Sequence, residues 1–579
     1  MNQNFNFITP GLSSRFMAYT QRYAYFDLTR SFNPFYYTLS SDANGKLTNL
    51  TLLNPGAGTE YLSYNQGAKT INTNTYAEWA TNYNRTFDKV HAIGGMLIGI
   101  LRDYQTANAG DLQSSLPWRN LGVSGRFTYA YDNRYLTEFN FGYNGSEKFA
   151  ANHRFGFFPS AGVAWNVANE KFFEPLLTVV TRLKFRATYG IVGNDQIGDS
   201  TDRFFYLSQV NPGDNNRGYH WGANQGNYVP GYSISRYANN NITWEQAKTT
   251  NYGMDLSFRN GLDVVVDLYH SVRSNILMQR SNIPSTVGAE AAIYANVGKA
   301  TSKGVDLALT YNKTLSKNVW IQARGNLTYA TSKYLVNEEP NYPADLSYLS
   351  QVGNSLNQTY GLIAERLFVD DAEAKKSPAQ SFGGTSPVRG GDIKYRDVNG
   401  DGQITSLDMV PIGWPTIPEI TYGFGFSVGY KAVDISAFFQ GSARVSFFIN
   451  PQNITPFALN GAYQNGLLQP IAASHWSEEK QDLHAFWPRL DPQFNNNNDQ
   501  VSTWWLRDGS FLRLKTLELG YNMPKKWMEK LHFSTLRIYL NGQNLAVFSS
   551  FKLWDPEMGG NGLGYPVQAV YNFGINLGF

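Results

Sequence analysis

The sequence predicts an all-β chain: a transmembrane, antiparallel, up-and-down β-barrel of about sixteen strands with long loops on one side. Three observations carry this. The first is composition. Of 579 residues, 15% are aromatic, among them 37 Tyr and 37 Phe, and 53 residues are Gly. Charged residues are only 16%, below the roughly 25% of soluble domains. Mean hydropathy is nonetheless −0.37, because Asn, Gln, Ser and Thr replace the missing charge. The second is a period of two in hydrophobicity, over segments of about ten residues, the length a tilted strand needs to cross a bilayer. The third is an alternation of connections. Tyr131 to Arg134, Asn260-Gly261 and Lys431-Ala432 are short; Gly193 to Thr243, Thr331 to Glu419 and Gly441 to Gly509 are long. A barrel with its tight turns on one side of the membrane and its elaborate loops on the other produces that pattern.

The strands are expected near 12–19, 75–87, 91–105, 120–131, 134–145, 157–168, 181–192, 249–259, 262–276, 301–312, 318–330, 419–430, 433–442, 510–522, 535–547 and 569–579. In chain order, 91–105 is apolar on both faces, as if it packed against something inside the barrel. In the fifth strand Tyr135, Thr137, Phe139, Phe141 and Tyr143 face one way, and Leu136, Glu138, Asn140, Gly142 and Asn144 the other. Successive side chains of a strand point to opposite faces, so one side is oily and the other wet. Val433, Ile435, Ala437 and Phe439 alternate with Asp434, Ser436, Phe438 and Gln440, and Leu536, Ile538 and Leu540 with Arg537, Tyr539 and Asn541. At the end, Tyr571, Phe573, Ile575, Leu577 and Phe579 alternate with Asn572, Gly574, Asn576 and Gly578. Asp434, Gln440, Arg537 and Asn541 are thus expected to line a hydrated lumen or to meet a plug. A soluble sandwich or propeller also alternates, but predicts shorter loops or regular blade repeats.

Several classes find no support. The longest apolar run, Ala92 to Leu101, is about half the roughly 20 residues of a membrane helix. A net charge of +3 is too small a field to suggest nucleic acid. With no cysteine and no His-x-x-x-His, a zinc site has no ligand set. Neither a GxSxG elbow nor a phosphate-binding glycine loop is present, so no enzyme activity is expected.

One segment departs from the strand pattern. Asp397, Asn399, Asp401, Gly402, Gln403 and Asp408 fall at positions 1, 3, 5, 6, 7 and 12 of a calcium-loop arrangement. Side-chain oxygens from Asp397, Asn399, Asp401 and Asp408 and the backbone carbonyl of Gln403 would converge on the ion, with Ile404 turned inward as an apolar anchor. Asp in place of Glu at position 12 reaches less far, so weak calcium binding is expected. The alternative is a string of Asx turns with no ion. By strand parity this loop, within 366–418, lies on the long-loop side. The long loops also carry aromatics. Trp221, Tyr232, Trp476 and Trp487 are candidates for stacking on sugars or gripping peptide side chains; loop packing is the competing reading.

The segment GDIKYRDVNGDGQITSLDMVPIGWPTIPEITYGFGFSVGYKAVDISAFFQG resembles the late barrel of the SusC/RagA-type TonB-dependent outer-membrane transporters. So do WLRDGSFLRLKTLELGYNMP, LRIYLNGQNLAVFSSFKLWDPEMGG and the terminal strand, and YLTEFNFGYNGSEKF and GFFPSAGVAWNVANEKFF resemble the earlier barrel. The matches run in family order from about residue 120 to the end. The resemblance implies about sixteen strands of a 22-stranded barrel in a Gram-negative outer membrane, among its lipids. It also implies a SusD-like surface lipoprotein as partner, and the TonB complex acting through a plug that these residues do not include. Residues 1–579 are then an incomplete barrel, the C-terminal portion of a longer importer of oligosaccharide or peptide. Phe579 resembles the terminal aromatic read by the barrel assembly machinery. The competing functions are a self-contained sixteen-strand diffusion porin and a secreted β-rich carbohydrate-binding protein.

Overall fold

A computed structural model describes residues 2–41, 46–110, 112–198, 202–383, 387–460, 463–524, 526–528 and 533–579. Sixteen long strands form one antiparallel sheet, each paired with its neighbours in sequence. They are β1 (Leu12–Ser31), β2 (Ser63–Phe87), β3 (His91–Thr106), β4 (Trp118–Tyr131), β5 (Tyr135–Ser146), β6 (Phe155–Asn166), β7 (Val180–Asn194) and β8 (Glu245–Phe258). Then come β9 (Leu262–Gln279), β10 (Tyr294–Ser316), β11 (Val319–Val336), β12 (Ile420–Tyr430), β13 (Val433–Ala443), β14 (Phe511–Asn522), β15 (Thr535–Ser549) and β16 (Val570–Gly578). All sixteen expected strands are present.

The largest difference is length. The first strand was expected to stop at residue 19 but runs to Ser31, and the second begins at Ser63 rather than 75. Backbone pairing continues from Thr20↔Thr75 to Ser31↔Ser63. Out of the membrane, side chains such as Arg22, Asp27 and Arg30 carry no greasy alternation, so periodicity cannot register a strand that hydrogen bonding still holds.

The tight turns follow from residues that tolerate positive φ. Asp132 and Asn133 sit at φ 49° and 53°, and Gly261 at 93°. Successive positive φ values match a two-residue turn to the twist of its strands. At Gly261 an added Cβ would lie 1.9 Å from the Asn312 carbonyl oxygen, so only glycine fits.

The two faces separate as expected. Phe139, Phe573 and Ile575 stand 43%, 66% and 52% exposed on the outer face, where hydrocarbon replaces water. In β3, Met96, Ile98 and Ile100 share the inner face with Arg126, Ser124 and Gly122 of β4 and are half-buried. Among the described residues the sheet does not close on itself: β16 pairs only with β15, and the free side of β1 meets only the short strand Asn2–Asn4.

Candidate functional site

Two surfaces offer binding chemistry: the inner wall of the sheet and a cap built from the long loops. On the wall, charges come in compensated groups. Arg537 Nη2 donates to Asp434 at 2.6 Å and to Glu518 at 2.7 Å, and Asn541 Nδ2 donates to Glu518 at 3.1 Å. The inward placement of Asp434, Arg537 and Asn541 matches the alternation read from sequence, and Gln440 lies opposite Arg513. A second group joins Arg182 and Arg186 to Asp255, and Arg186 to Asp267, at 2.8 to 3.1 Å. Arg126 meets Glu138 at 2.7 Å. Between the last two groups lies a groove of about 820 Å³, lined by Asn140, Ser160, Lys184 and Thr188 among others. Its lining mixes polar side chains with Ala92, Ile93, Leu136 and Val163, and carries Arg85, Arg126, Lys184 and Arg186 against the single acid Glu138.

The cap gathers residues from three long connections, after β11, β13 and β15. Leu362, Leu367, Ile393, Tyr395, Ile404, Ile449, Ile471, Trp505 and Phe551 form one buried cluster. Trp476 and Trp487 belong to that cluster, at 7% and 5% exposure. Their stacking role is therefore corrected. The Trp487 ring lies 5.0 Å from that of Trp505, and the backbone of residues 474–476 pairs with residue 487. Rings enclosed on this scale hold loops together rather than present a platform for stacking. Trp221 and Tyr232 are different: both stand on an exposed hairpin, strands Gln209–Trp221 and Asn227–Arg236, at 58% and 67% exposure.

One buried carboxylate organises the cap. Asp392 is fully buried; its Oδ1 accepts from Arg489 Nε at 2.8 Å, Asn495 Nδ2 at 3.0 Å and Asn498 Nδ2 at 2.9 Å. Its Oδ2 accepts the Arg389 amide at 2.9 Å. Asn497 Nδ2 donates to the Ile393 carbonyl at 3.0 Å, and Asn498 Oδ1 accepts the Ile393 amide at 2.9 Å. The run Asn495–Asn498, which looks like low-complexity linker in sequence, is a stitch between distant loops. Sequence reasoning passed over both Asp392 and this run. Four consecutive amide side chains were the available signal.

Nearer the β3–β4 loop, Arg203 is 2% exposed and clasps the carbonyls of Gln113, Leu116 and Pro117 at 2.6 to 2.8 Å. Ile197, Phe205, Ile242 and Trp244 form a buried cluster with Phe149 and Phe158.

The segment 397–408 winds as the spacing suggests. Gly402 N donates to Asp397 Oδ2 at 2.8 Å, Asp401 N to Asn399 Oδ1 at 3.0 Å and Gln403 N to Asp401 Oδ1 at 2.8 Å. Ile404 is fully buried in the cap, as its expected anchoring role requires. Asp408 is also fully buried, but its carboxylate accepts the amides of Val398 at 2.8 Å, Asn399 at 3.4 Å and Thr405 at 2.8 Å. In this arrangement it closes the loop through the backbone. Among the described residues no group of three or more acidic, His or Cys side chains converges as a metal cage. Phe579 is 90% exposed, its ring 5.3 Å from Phe533.

Two cap carboxylates titrate in opposite directions. The Arg366 guanidinium, with the Val369 amide and Lys394, holds Glu373 down at about 2. Burial pushes Asp499 up to about 6, and its Oδ2 has no partner. An unfolded Asp titrates near ~3.9, so the folded cap binds this proton more tightly. Asp499 therefore costs stability as pH rises from about 4 to about 6, by up to about 3 kcal/mol, and the cost is constant above that. Glu373 adds stability above its unfolded value of about 4.3, lost as pH falls toward 2. Asp499→Asn is expected to raise the unfolding midpoint of the cap at pH 7 and flatten its slope between pH 4 and 6. Tryptophan emission during urea titration reads this directly, and an unchanged slope would contradict it.

Comparison with known proteins places these features. The family model described as TonB dependent receptor-like, beta-barrel, matches residues 2–545. TonB-dependent receptor P3 of Formosa agariphila is 26% identical over 486 residues, covering 79% of this chain and 45% of its own length. TonB-dependent receptor SusC of Bacteroides thetaiotaomicron is 25% identical over 489 residues, covering 81% of this chain and 44% of its own. The chain thus spans about half the length of the curated relatives it matches. Among solved structures, the RagAB peptide transporter superposes with a TM-score of 0.70 at 20% identity, over 98% of this chain and 60% of that one.

Proposed function

Because the chain belongs to the TonB-dependent receptor β-barrel family, we propose that it serves as the barrel part of an importer in a Gram-negative outer membrane. It would carry a large oligosaccharide or peptide by binding and passage, without covalent chemistry. The observation that carries this is the two-faced sheet: apolar side chains outside, ion-paired and amide side chains inside, and a preorganised cap at the long-loop end. Energy would come from the TonB complex through a plug, and a SusD-like surface lipoprotein would close over the cap. The exposed Trp221 and Tyr232 are the ring faces available to cargo or lid. The barrel assembly machinery would read the terminal Phe579, which protrudes on the short-turn side.

A self-contained diffusion porin is less well supported, because β16 pairs only with β15 among the described residues. Unpaired strand edges find no water in hydrocarbon and are costly there. A secreted carbohydrate-binding protein would have to leave Phe139, Phe573 and Ile575 facing water. The test is fractionation and growth. Tagged protein should sediment with outer membranes and co-purify with a surface lipoprotein, and deleting its gene should abolish growth on one class of large nutrient. Soluble protein, or uptake of every glycan and peptide unchanged, would refute the reading.

Calcium at the loop belongs to the same proposal. Asp397, Asn399 and Asp401 and the Gln403 carbonyl would supply its ligands, supported by the spacing and by the Gly402-to-Asp397 bond at 2.8 Å. With Asp408 held by backbone amides, affinity falls in the weak range of extracellular modules, Kd about 10⁻⁴–10⁻³ M. Calorimetric titration should give heat that vanishes in the Asp397→Ala, Asp401→Ala double variant. Equal traces would leave the loop as a set of Asx turns.

A further inference from the structure

On the outer face of β8–β11 the register aligns three rows. The lowest is Tyr252, Leu268, Val305 and Tyr329, directly opposite one another on successive strands. Above it run Thr250, His270, Lys303 and Thr331, and above that Lys248, Val272, Thr301 and Lys333. The lower two rows line a shallow groove of about 340 Å³. Its outward direction follows from Tyr252 and Leu268, 59% and 48% exposed on the greasy face.

Height places the groove in the membrane. A strand rising about 3.3 Å per residue and tilted about 40° climbs roughly 2.5 Å per residue. His270 lies eight positions beyond Leu262, where β9 leaves its tight turn, and so stands roughly 20 Å up, near the top of an apolar band about 25 Å tall. Counted from their own turns, Tyr252 stands roughly 15 Å up, inside the apolar band, and Tyr329 roughly 25 Å, at its edge, and Lys248, Lys303 and Lys333 follow at roughly 25–35 Å, all exposed. The three rows contain no carboxylate. Around the rim Glu419 pairs with Arg444 at 3.5 Å, Glu245 with Arg273 at 2.9 Å and Glu338 with Arg280 at 2.8 Å. Arg444 in turn donates to the Tyr329 hydroxyl at 3.0 Å, which fixes that ring as a wall. His270 Nε2 lies 3.0 Å from Thr301 Oγ1.

We propose that this groove binds a phosphate-bearing lipid of the outer leaflet, with its headgroup phosphate among Lys248, Lys303 and Lys333 and an acyl chain along Leu268 and Val305 between the two tyrosines. The proposal rests on the outer-membrane reading above. Strands are about 4.8 Å apart and diagonal neighbours on one face roughly 7–8 Å apart, so one headgroup reaches Lys303 and Lys333 together. A soluble anion would have no use for the apolar row below.

The test is native mass spectrometry of the purified full chain in detergent, titrated with lipid A carrying phosphate and with its dephosphorylated form. Each lysine near an anionic lipid surface contributes roughly fivefold, from about 1 kcal/mol. The triple variant Lys248→Gln, Lys303→Gln, Lys333→Gln should therefore bind phosphorylated lipid about a hundredfold more weakly. Lys313→Gln, on the same face near the opposite end of β10, should stay within twofold of the unmodified chain, and inorganic phosphate at millimolar concentration should not compete. Equal binding by the triple variant, no preference for the phosphorylated form, an equal loss in Lys313→Gln, or competition by free phosphate would each overturn the proposal. Outer-membrane fractionation is scored separately. Protein that reaches the membrane but ignores the phosphate sinks this inference alone; protein that never reaches it sinks the importer.

Discussion

Replacing Asp392 by Ala is expected to unfold the loop cap while leaving the barrel strands paired. Asp392 is the meeting point of four donors, three of them from a segment about a hundred residues along the chain and one the nearby Arg389 amide. Without it Arg489, only 16% exposed at its side chain, keeps a single partner, Asp491 at 3.0 Å. Breaking a buried pair by removing one member costs about 3–5 kcal/mol, because a charge is left uncompensated. Asn495 and Asn498 each lose an acceptor in the same step, and with them the alignment of the Ile393 strand. A loop assembly of this size has little more stability than that in total. Trypsin should then cut at Arg389 and Lys480 under conditions where the unmodified cap resists, and the emission of Trp476, Trp487 and Trp505 should shift to the red. Asp392→Asn, which keeps volume and two hydrogen bonds, should fall between the two. Unaltered proteolysis in the Ala variant would mean that the aromatic cluster alone holds the loops.

The second large effect is on the lipid face. Phe426 lies on the outer side of β12, 46% exposed, five residues from the Lys431 turn, which puts it near the bilayer midplane. Phe426→Arg is expected to destabilise the inserted barrel by about 2–4 kcal/mol. Ser436→Arg, on the inner face opposite Glu518, should change it by less than about 1 kcal/mol, since it meets water and a counter-charge. Urea titration in lipid vesicles separates the two. Equal costs would mean that the two faces do not meet different solvents.

The barrel was legible because its signal is local. Apart from β3, which is apolar on both faces, the strands carry their own record of two solvents, and the alternation at Val433 to Gln440 or Tyr571 to Phe579 needs no knowledge of any other strand. Extensions such as residues 20–31 escaped notice because both faces meet water there, and pairing alone leaves no mark on composition. The cap was illegible for the opposite reason. Trp476 and Trp487 have the composition of a ligand platform, and only contacts with Trp505 and with loops far along the chain turn them inward. Asp408 shows the same limit within one loop. Its spacing marks a twelfth-position ligand, yet its carboxylate is taken up by three backbone amides.

By itself the sequence determined which residues meet hydrocarbon and which meet water, because a strand's period of two is written by its immediate solvent. Only the tertiary structure decided where the loop aromatics go, that one buried aspartate ties the cap together, and that three lysines on separate strands gather in two adjacent rows. Those are outcomes of register and long-range packing, in which free energy depends on what chain folding brings into contact.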